Sequence, residues 1–352
     1  MNAIANYQRW DVSFDEAFYL QTNPDVAAAV AAGAIPSGAV HFVNFGVKEG
    51  RIGKPGQLYD EATYLAENPD VAAAVSAGAF VSGFEHFALF GRQEGRTFSH
   101  HFDEEWYRKR YPDVEAAIQS GAFASAFDHY LAFGRDPSER RSISPLNEFI
   151  YLRKNPDVAN AVDTNLFFSG QQHYERNGRA EGRSVTITGT QGNDNLVASD
   201  NGDILTGVAV GVRPGRHPEP QDQNFTTYDS VGLGEIDTLT GGAGPDTFFL
   251  ADRFPSGGVG NLIVPWGLYL ANDLAIADQD YAEIRNFDPT EDRIVTRTMT
   301  VVDIGNDAAI FERRGQPPSN VDLIGKVIGV GASQVQGAIT NVVTGPSILL
   351  PG

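Results

Sequence analysis

The residues in this chain best suited to chemistry are glycines and aspartates grouped in two nonapeptides. The first, residues 189–197, reads GTQGNDNLV, and the second, residues 241–249, reads GGAGPDTFF. The glycines let the backbone turn with its carbonyl oxygens pointing inward, and each aspartate adds a carboxylate. The apolar eighth residue of each nonapeptide can begin a short buried strand. Ligands that are all oxygen favour a hard cation such as Ca²⁺.

The second nonapeptide and its surroundings resemble the RTX, or hemolysin-type calcium-binding, proteins, whose repeat is G-G-x-G-x-D-x-U-x with U apolar. GEIDTLT at 234–240 runs directly into this nonapeptide, and DYAEIRNFD at 280–288 and EDRI at 291–294 follow it. The resemblance covers roughly residues 185–335. It implies a calcium-binding β-roll that closes with two final strands, for which residues 308–312 and 322–328 are suitable. Such domains are attached to proteases, lipases, toxins, adhesins and surface-layer proteins alike.

The resemblance implies a set of calcium ligands made of carboxylates and glycine carbonyls. In order of priority they are Asp246 and Asp237 with the carbonyls of Gly241, Gly242 and Gly244, then Asp194 with Gly189 and Gly192, then Asp203, and for a terminal site Asp280, Asp288 and Asp292. Thr190 replaces the second glycine of the first nonapeptide, and an insertion at about 206–233 interrupts the series. We therefore expect about one to three Ca²⁺ ions. The alternative is ordinary glycine and aspartate turns in a β domain.

The amino-terminal half contains four copies of a unit of about 44 residues. Pro24, Pro69, Pro112 and Pro156 follow one another at intervals of 45, 43 and 44 residues, and His41, His86, His129 and His173 keep the same intervals. The units span about 14–56, 57–101, 102–144 and 145–184. A unit of this size is too small to bury an adequate core alone, so we expect the copies to stack or pack in pairs.

Each unit is predicted to form three short helices. In most copies Asn-Pro-Asp begins the second helix, with Asn as N-cap and Pro at the first helical position. This helix is expected to end at Gly33, Gly78, Gly121 and Asn165, because glycine and asparagine best tolerate a left-handed C-terminal cap. The third helix is expected to begin near Ser37, Ser82, Ser125 and Ser169 and to end at Gly46, Gly91, Gly134 and Gly178.

The predicted fold class is α+β and multidomain. An all-α repeat domain over residues 1–184 is followed by an all-β, RTX-like calcium-binding domain over 185–352. Composition changes near Val185 from Ala, Phe, His and Tyr to Gly, Asp, Thr and Val. The uncharged apolar end, residues 331–352, is interpreted as an export or assembly tail.

Charge and composition exclude several classes of function. The net charge of −19 opposes binding to nucleic acid or anionic lipid and suits an extracellular protein that attracts divalent cations. There is no cysteine, and therefore no disulfide or thiolate site. No apolar run is long enough to span a bilayer, and residues 1–10 lack the features of a cleaved leader. The resemblance then implies type I secretion to the cell surface or medium, with an uncleaved carboxy-terminal signal.

No catalytic motif stands out. The sequence contains no His-Glu-x-x-His helix, Gly-x-Ser-x-Gly elbow, Walker loop or dinucleotide fingerprint. The HHFDEE cluster at 100–105 contains metal-ligating types, but it is more simply a solvated linker. One histidine per unit indicates a packing contact, in which a buried imidazole bonds the neighbouring unit's backbone or carboxylate. The Glu-Gly-Arg tails are interpreted as caps and inter-repeat contacts.

Three functions remain. The first is a non-enzymatic, calcium-stabilised structural protein that self-associates into a surface layer, matrix or filament. The second is a calcium-dependent adhesin that binds a cell-surface polysaccharide, for which Trp266 is the best candidate aromatic contact. A buried place for Trp266 in an apolar strand or loop of the β domain explains it equally well. The third, a secreted hydrolase with an RTX tail, requires catalytic residues that the sequence does not contain.

Overall fold

The computed structural model describes residues 14–135, 141–214, 224–228, 232, 234–255, 263–267, 280–296, 299–313 and 321–341. Helices come first along the chain and β-sheets follow. Contacts divide the chain into two compact units. The helical unit comprises Met1–Arg135 with Leu152–Arg176, and the β unit comprises Asp136–Tyr151 with Asn177–Gly352.

This division differs from a single boundary between residues 184 and 185. Residues 136–151 group with the β unit because their backbone joins the first strand there. Leu146 forms a bridge with Ile187, and the Asn147 N–H donates to the carbonyl of Thr186 over 2.7 Å. Ile150 is buried in a hydrophobic cluster of the β unit together with Phe249. The start of the fourth repeat thus contributes to the β core.

Four successive sets of helices follow the four sequence repeats. The first helices are α1 (Glu16–Thr22), α4 (Glu61–Glu67), α7 (Glu104–Arg110) and α10 (Glu148–Lys154). The second helices are α2 (Pro24–Ala31), α5 (Pro69–Ser76), α8 (Pro112–Gln119) and α11 (Pro156–Asp163). The third helices are α3 (Gly38–His41), α6 (Gly83–His86), α9 (Ala126–His129) and α12 (Gly170–His173), and they continue as π-helical turns over Phe42–Gly46, Phe87–Gly91, Tyr130–Gly134 and Tyr174–Gly178.

The predicted helix ends are confirmed. Each second helix is followed by a residue with positive φ, and the φ values are 70° at Gly33, 77° at Gly78, 77° at Gly121 and 60° at Asn165. The third helices have serine N-caps, as at Ser37, whose Oγ accepts the Val40 N–H over 3.2 Å. The π-helical continuation was not predicted, since nothing in the residue pattern separates it from an α-helix.

The predicted start of the second helix is confirmed, with Asn23 at the N-cap position of α2 and Pro24 as its first residue, but the Asn23 side chain makes no capping bond there. Its Nδ2 instead donates to the carbonyl of Tyr19 over 2.8 Å, and its Oδ1 accepts from Arg51. The junction between α1 and α2 is a single residue, so the side chain can serve only one helix. It serves the carbonyl end of α1.

Each histidine is buried, as predicted, but His41 and His86 bond within their own unit and not to the neighbouring one. His41, His86 and His129 are 7–8% exposed. Their Nδ1 atoms hydrogen-bond the hydroxyls of buried tyrosines on the first helix of the same unit, over 2.9 Å from Tyr19, 2.8 Å from Tyr64 and 3.2 Å from Tyr107. The fixed distance of 22 residues between tyrosine and histidine explains why both recur. For His41 and His86, the predicted inter-unit bond is wrong.

The arginines of the Glu-Gly-Arg tails also bond within their own unit. Arg51 binds both carboxylate oxygens of Asp25 at 2.9 and 2.7 Å, and its Nε donates to Glu49 over 2.6 Å. Arg96 makes the matching pairs with Asp70 and Glu94. These arginines join the end of a unit to the start of its second helix, so the predicted inter-repeat role is wrong.

Aromatic rings instead connect one unit to the next. Phe42 contacts Phe84 edge-on with ring centroids 5.3 Å apart, and Phe98 contacts Phe127 at 4.6 Å. The fourth unit also meets the first linker, where a Cβ on Gly56 would lie 2.6 Å from the Phe168 nitrogen. The aromatic core is therefore shared between units.

The β unit is built from two parallel sheets whose strands alternate along the chain. One sheet has the order β1 (Thr186–Thr188), β3 (Ile204–Thr206), β7 (Thr247–Phe249), β11 (Arg293–Thr296), β15 (Ile339–Asn341). The other contains β2 (Asn195–Val197), β6 (Ile236–Thr240), β10 (Tyr281–Arg285) and β14 (Val321–Val327), extended by antiparallel β13 (Asp307–Arg313) and β12 (Met299–Ile304). Each passage through both sheets makes one coil. Leu205, Leu239, Phe248 and Ile284 are fully buried.

Antiparallel strand pairs lengthen the later coils. The first coil advances 18 residues from Val185 to Asp203, whereas the next two advance 43 and 46 residues. The added lengths contain β4 (Val210–Pro214) with β5 (Asn224–Tyr228), and β8 (Ala251–Pro255) with β9 (Ile263–Gly267). β4 and β5 lie in the insertion placed at 206–233. Trp266 lies on β9, but its side chain is outside the described part of the chain.

Both strands expected to end the domain are present as β13 and β14, which pair with each other. They do not end it. The six-residue helix α13 (Ala332–Gly337) follows, and β15 then pairs with β11. The beginning of the tail at 331–352 is thus part of the fold, and residues 342–352 lie outside the described residues. Within the described residues, no helix has both the length and the apolar character needed to cross a bilayer.

Candidate metal-binding loops

Three buried aspartates stand in register at the starts of neighbouring strands. Asp203, Asp246 and Asp292 directly precede β3, β7 and β11, which pair side by side. All three are at most 2% exposed. We call them the aspartate stack. The position of Asp246 follows from the nonapeptide pattern, in which an aspartate stands just before the buried strand, and Asp203 and Asp292 occupy the same place in their own coils.

The aspartate stack is held by backbone N–H groups. Asp246 Oδ1 accepts the Asp203 N–H over 2.7 Å, and Oδ2 accepts the Gly242 N–H of its own loop over 2.6 Å. Asp292 repeats this arrangement with the N–H groups of Asp246 and Asp288, both at 2.8 Å. Each carboxylate thus closes its own loop and joins it to the preceding coil. Because every carboxylate oxygen has two lone pairs, each retains acceptor capacity.

A second set of acidic residues lies on the other sheet. Asp237 Oδ1 accepts the Asp194 N–H over 2.8 Å, and Asp194 Oδ2 accepts the Thr190 N–H over 2.7 Å. Asp237 and Asp280 are fully buried. Asp280 directly precedes β10, which pairs with β6. The structure therefore brings Asp194 and Asp237 into contact and places Asp280 at the neighbouring strand.

The glycines of the loops are required by close contact between coils. A Cβ on Gly242 would lie 1.7 Å from the carbonyl oxygen of Ser199, and one on Gly189 would lie 1.6 Å from that of Gly207. A Cβ on Gly244 would lie 2.7 Å from the carbonyl oxygen of Asp200. Gly192 has a φ of 108°, which L side chains rarely adopt. These positions accept only glycine because backbone carbonyls of the adjacent coil face them.

Asn286 binds two of the predicted carbonyl ligands. Its Nδ2 donates to the carbonyls of Gly241 and Gly242 over 2.8 and 3.1 Å. Asn286 itself has a φ of 52°, in the left-handed region that asparagine tolerates better than most residues. This amide fixes the loop so that its glycine carbonyls face the next coil.

A groove of about 880 Å³ lies over these loops. Backbone of Gly241, Gly242 and Gly244 lines it, and Asp200 and Asp288 contribute carboxylates. Asp200 Oδ1 accepts the Ala243 N–H over 3.1 Å. Asp288 Oδ1 accepts the N–H and hydroxyl of Thr290, and these bonds hold the pKa of its carboxyl below the usual range.

Burial makes the ionised forms of Asp246 and Asp292 unfavourable. Desolvation raises the pKa of Asp246 to about 6, and the nearby Asp292 carboxylate adds to the rise, while N–H bonds from Asp203 and Gly242 oppose it. Desolvation also raises the pKa of Asp292. A bound cation would offset this penalty.

The chemistry of the loops fits calcium. Residues 199–203 and 241–246 contain no Lys, Arg, His or Cys, so their donors are carboxylate, carbonyl and hydroxyl oxygens. In the described part of the chain, no three acidic or histidine side chains are grouped closely enough to hold a metal. A calcium ion here would accordingly need backbone carbonyls as well as carboxylates, as is usual for Ca²⁺.

Sequence reasoning missed residues that act across coils. Glu235 Oε1 accepts the Gly192 N–H over 2.8 Å. Asp200 and Asn286 likewise bond the 241–244 loop. None of them occupies a key position of the nonapeptide pattern. Their spacing of about 43 residues from their partners is the signal that would have found them.

The histidine-acid cluster at 100–105 does not converge on one site among the described residues. The Nδ1 of His101 pairs instead with the Glu175 carboxylate. Asp103 caps helix α7 by accepting the Trp106 N–H over 2.8 Å. The linker interpretation agrees with this arrangement.

Comparisons with known proteins were made by sequence and by structure. No protein-family model and no curated protein matches the sequence. Among solved structures, the AlgE6R3 subunit of the Azotobacter vinelandii mannuronan C5-epimerase is similar at 19% identity, over 46% of this chain and 75% of that one, with a TM-score of 0.23. The AlgE6R2 subunit is similar at 15% identity, over 48% and 99%, with a TM-score of 0.20. Both TM-scores are too low to indicate a shared overall fold.

Proposed function

We propose that the protein is a secreted, non-enzymatic structural protein that calcium stabilises and that self-associates at or near the cell surface. The aspartate stack carries this proposal. Buried carboxylates stand in neighbouring coils, and the glycine loop at 241–244 lies beside Asp246, which accepts the Gly242 N–H. Such an arrangement is costly without a counter-charge and stable with one.

Calcium would act between coils. Asp203, Asp246 and Asp292 would supply carboxylates, and the glycine loop at 241–244 would supply carbonyls. Asp194, Asp237 and Asp280 would serve the other sheet. One to three ions suit the small number of coils. The ion's contribution is positive charge and strong oxygen coordination, which would add the free energy that short strands of three to five residues lack.

Self-association is supported by exposed rings on the repeats. Phe45, Phe90 and Phe133 are 55%, 47% and 53% exposed and occupy the same position of the first three units. Each packs beside its unit's histidine, with ring centroids 5.6–5.7 Å apart. We call these residues the phenylalanine row. Large exposed apolar side chains repeated at one position mark an interaction surface.

Export through a type I channel is part of the proposal. A chain whose β unit needs calcium would stay unfolded where calcium is scarce and fold outside the cell. The high negative charge of −19 agrees with this order of events, since it opposes compaction until cations bind. Outside the cell, the folded protein would assemble into a surface layer, a matrix or filaments.

A calcium-dependent adhesin for a cell-surface polysaccharide is the second candidate. The phenylalanine row favours it as well, because aromatic rings also stack on the apolar faces of sugars. The two functions differ in whether the row meets another copy of the chain or a glycan.

Electron microscopy of the purified protein in millimolar calcium, and again after chelation, tests the proposal. We expect ordered filaments or sheets in calcium and dispersed particles in chelator. Dispersed particles under both conditions would reject self-assembly and direct attention to a glycan ligand. Assemblies that are indifferent to chelator would reject the role of calcium.

A further inference from the structure

A cavity of about 840 Å³ lies in the helical unit, between residues 47–63, residues 99–101 and the fourth repeat. Lys48, Tyr59, Glu61, His101, Glu175 and Arg176 are among its lining residues. Its volume is within the range of small-molecule pockets. It is separate from the metal-binding loops and from the phenylalanine row.

The carboxylates of this cavity are already bonded. Glu61 accepts the N–H groups of Gly83 and Phe84 at 2.7 and 2.9 Å, and also the hydroxyl of Tyr59 at 2.6 Å. Asp60 caps its own helix. Glu175 accepts from Gln171, and its carboxylate lies against the Nδ1 of His101. Most of their acceptor capacity is therefore used within the protein and is not available to a ligand that donates hydrogen bonds.

Two positively charged side chains that line the same cavity, those of Arg176 and Lys48, make few bonds within the described residues. Arg176 makes one long hydrogen bond, of 3.3 Å, from its guanidinium to the carbonyl of Gln57. Neither Arg176 nor Lys48 has an acidic partner within 4 Å among the described residues, whereas Arg51 beside them is paired with Asp25 and Glu49. A guanidinium with five donors and an ammonium with three thus border an open space.

The repeat itself does not require these residues. Where Arg176 stands, the other units have Asn44, Leu89 and Ala132, and where Lys48 stands they have Gln93, Asp136 and Ala180. Glu175 replaces the apolar residues Val43, Ala88 and Leu131 of the other copies, and His101 stands where they have Ser13, Leu58 and Pro145. At the positions of Arg176 and Lys48, no other unit has a positively charged residue. Repeat packing does not explain them, since the other units pack without them.

We propose that this cavity binds a small ligand bearing an oxyanion, with Arg176 and Lys48 as its charged contacts. Arg176 presents the planar fork that matches a carboxylate, sulfate or phosphate group, and Lys48 adds a second positive charge. The His101–Glu175 pair fixes the wall beside Arg176. A site for an anion in a chain with a net charge of −19 would be selective, because the rest of the surface repels such ligands.

Isothermal titration calorimetry on the full chain tests this inference, with sodium sulfate, sodium glucuronate and neutral glucose as probes at constant ionic strength. We expect sulfate or glucuronate to bind and glucose not to bind. Sulfate alone would assign an inorganic oxyanion, and glucuronate alone an acidic sugar. Arg176→Gln and Lys48→Gln should each weaken binding about tenfold or more, the scale of one charge-assisted hydrogen bond.

Arg285→Gln is the matched control, because Arg285 is an exposed cation of the β unit and does not line the cavity. It should bind as the unaltered chain does. Arg176→Lys, which keeps the charge, should lose less affinity than Arg176→Gln and guards against a folding defect. Absence of binding by both anions, equal binding of glucose, or unchanged affinity in Arg176→Gln and Lys48→Gln would overturn the proposal. None of these outcomes depends on self-assembly or on calcium.

Discussion

Asp246 shows how one side chain can serve both the fold and a proposed ion. Its two oxygens accept N–H groups from Asp203 and Gly242, and its burial raises its pKa to about 6. An amide in its place would present an NH₂ group to one of these N–H donors. The side chain must therefore be a carboxylate for local reasons, even before any cation is considered.

We expect Asp246→Asn to lower calcium affinity about tenfold or more and to destabilise the β unit by about 1–3 kcal/mol. Calcium titration followed by thermal unfolding measures both effects. Asp25→Asn is the control, because Asp25 is an exposed residue of the helical unit and should leave the calcium titration unchanged. A normal titration in Asp246→Asn would remove this residue from the ligand set.

His86 makes the helical unit sensitive to pH. Burial, and next the charge of Arg96, lower the pKa of His86 below its ordinary value of 6.5. The unfolded chain therefore binds a proton near pH 6.5 that the folded chain refuses. Stability contributed by neutral His86 is present above pH 6.5 and is lost as the pH falls toward the lowered folded pKa.

Thermal unfolding followed by helical circular dichroism should show a falling midpoint between pH 7 and pH 5. His86→Gln should be less stable at pH 7, since it loses the 2.8 Å bond from Tyr64, but its midpoint should depend less on pH. An equal slope in both proteins would assign the pH dependence to other groups.

At the scale of elements, glycine is needed at some helix ends for its backbone conformation and at others because a larger side chain would not fit. A Cβ added at Gly33, Gly78 or Gly121 would have nothing within 4 Å, so a substitution there costs only the left-handed backbone. Gly91 is the contrasting case, because a Cβ would lie 1.9 Å from the Tyr64 hydroxyl. The same residue type is thus required for two different reasons within one unit.

Gly78→Ala should destabilise the helical unit by about 1 kcal/mol, and Gly78→Asn by less, because asparagine adopts positive φ more readily. The fourth unit already uses Asn165 in this way, with a φ of 60°. Urea unfolding measures both differences. Gly91→Ala is expected to cost more than Gly78→Ala, and the reverse order would contradict the contact argument.

The sequence indicated helix ends better than side-chain partners. Serine caps and glycine stops depend on the chain's own next few residues, so Ser37, Gly33 and even Asn165 could be placed in advance. The direction of the Asn23 side chain could not, because both helices at that junction offer it a bond. The partner of His41 was also missed, since a tyrosine 22 residues away gives no local signal.

The metal-binding loops show the same limit. The nonapeptide pattern correctly placed Asp246 before the buried strand β7. It did not indicate Asn286 or Asp200, which bond a loop more than 40 residues away along the chain. Such contacts depend on the length of each coil, and the antiparallel strand pairs that set this length have no motif of their own.

At the scale of the whole molecule, the phenylalanine row is the feature that should decide assembly. We expect the triple variant with Phe45, Phe90 and Phe133 each changed to Ser to remain dispersed in calcium, because the variant removes the repeated apolar surface. Light scattering after size-exclusion chromatography measures the particle mass. Ile304→Ser, at an exposed position of the β unit away from the metal-binding loops, is the control and should assemble as the unaltered chain does. Assembly of the triple variant would place the interface elsewhere.

The antiparallel strand pairs of the β unit are all inserted at the same position of a coil, and this position can accept insertions during evolution. The inserted pairs β4–β5, β8–β9 and β12–β13 directly follow β3, β7 and β11 along the chain. These three preceding strands belong to one sheet. Register on either side is kept, since Ile204 still pairs with Thr247 and Thr247 with Arg293. We therefore expect that a hairpin at this position can be replaced by another peptide while the strands of the coils keep their pairing.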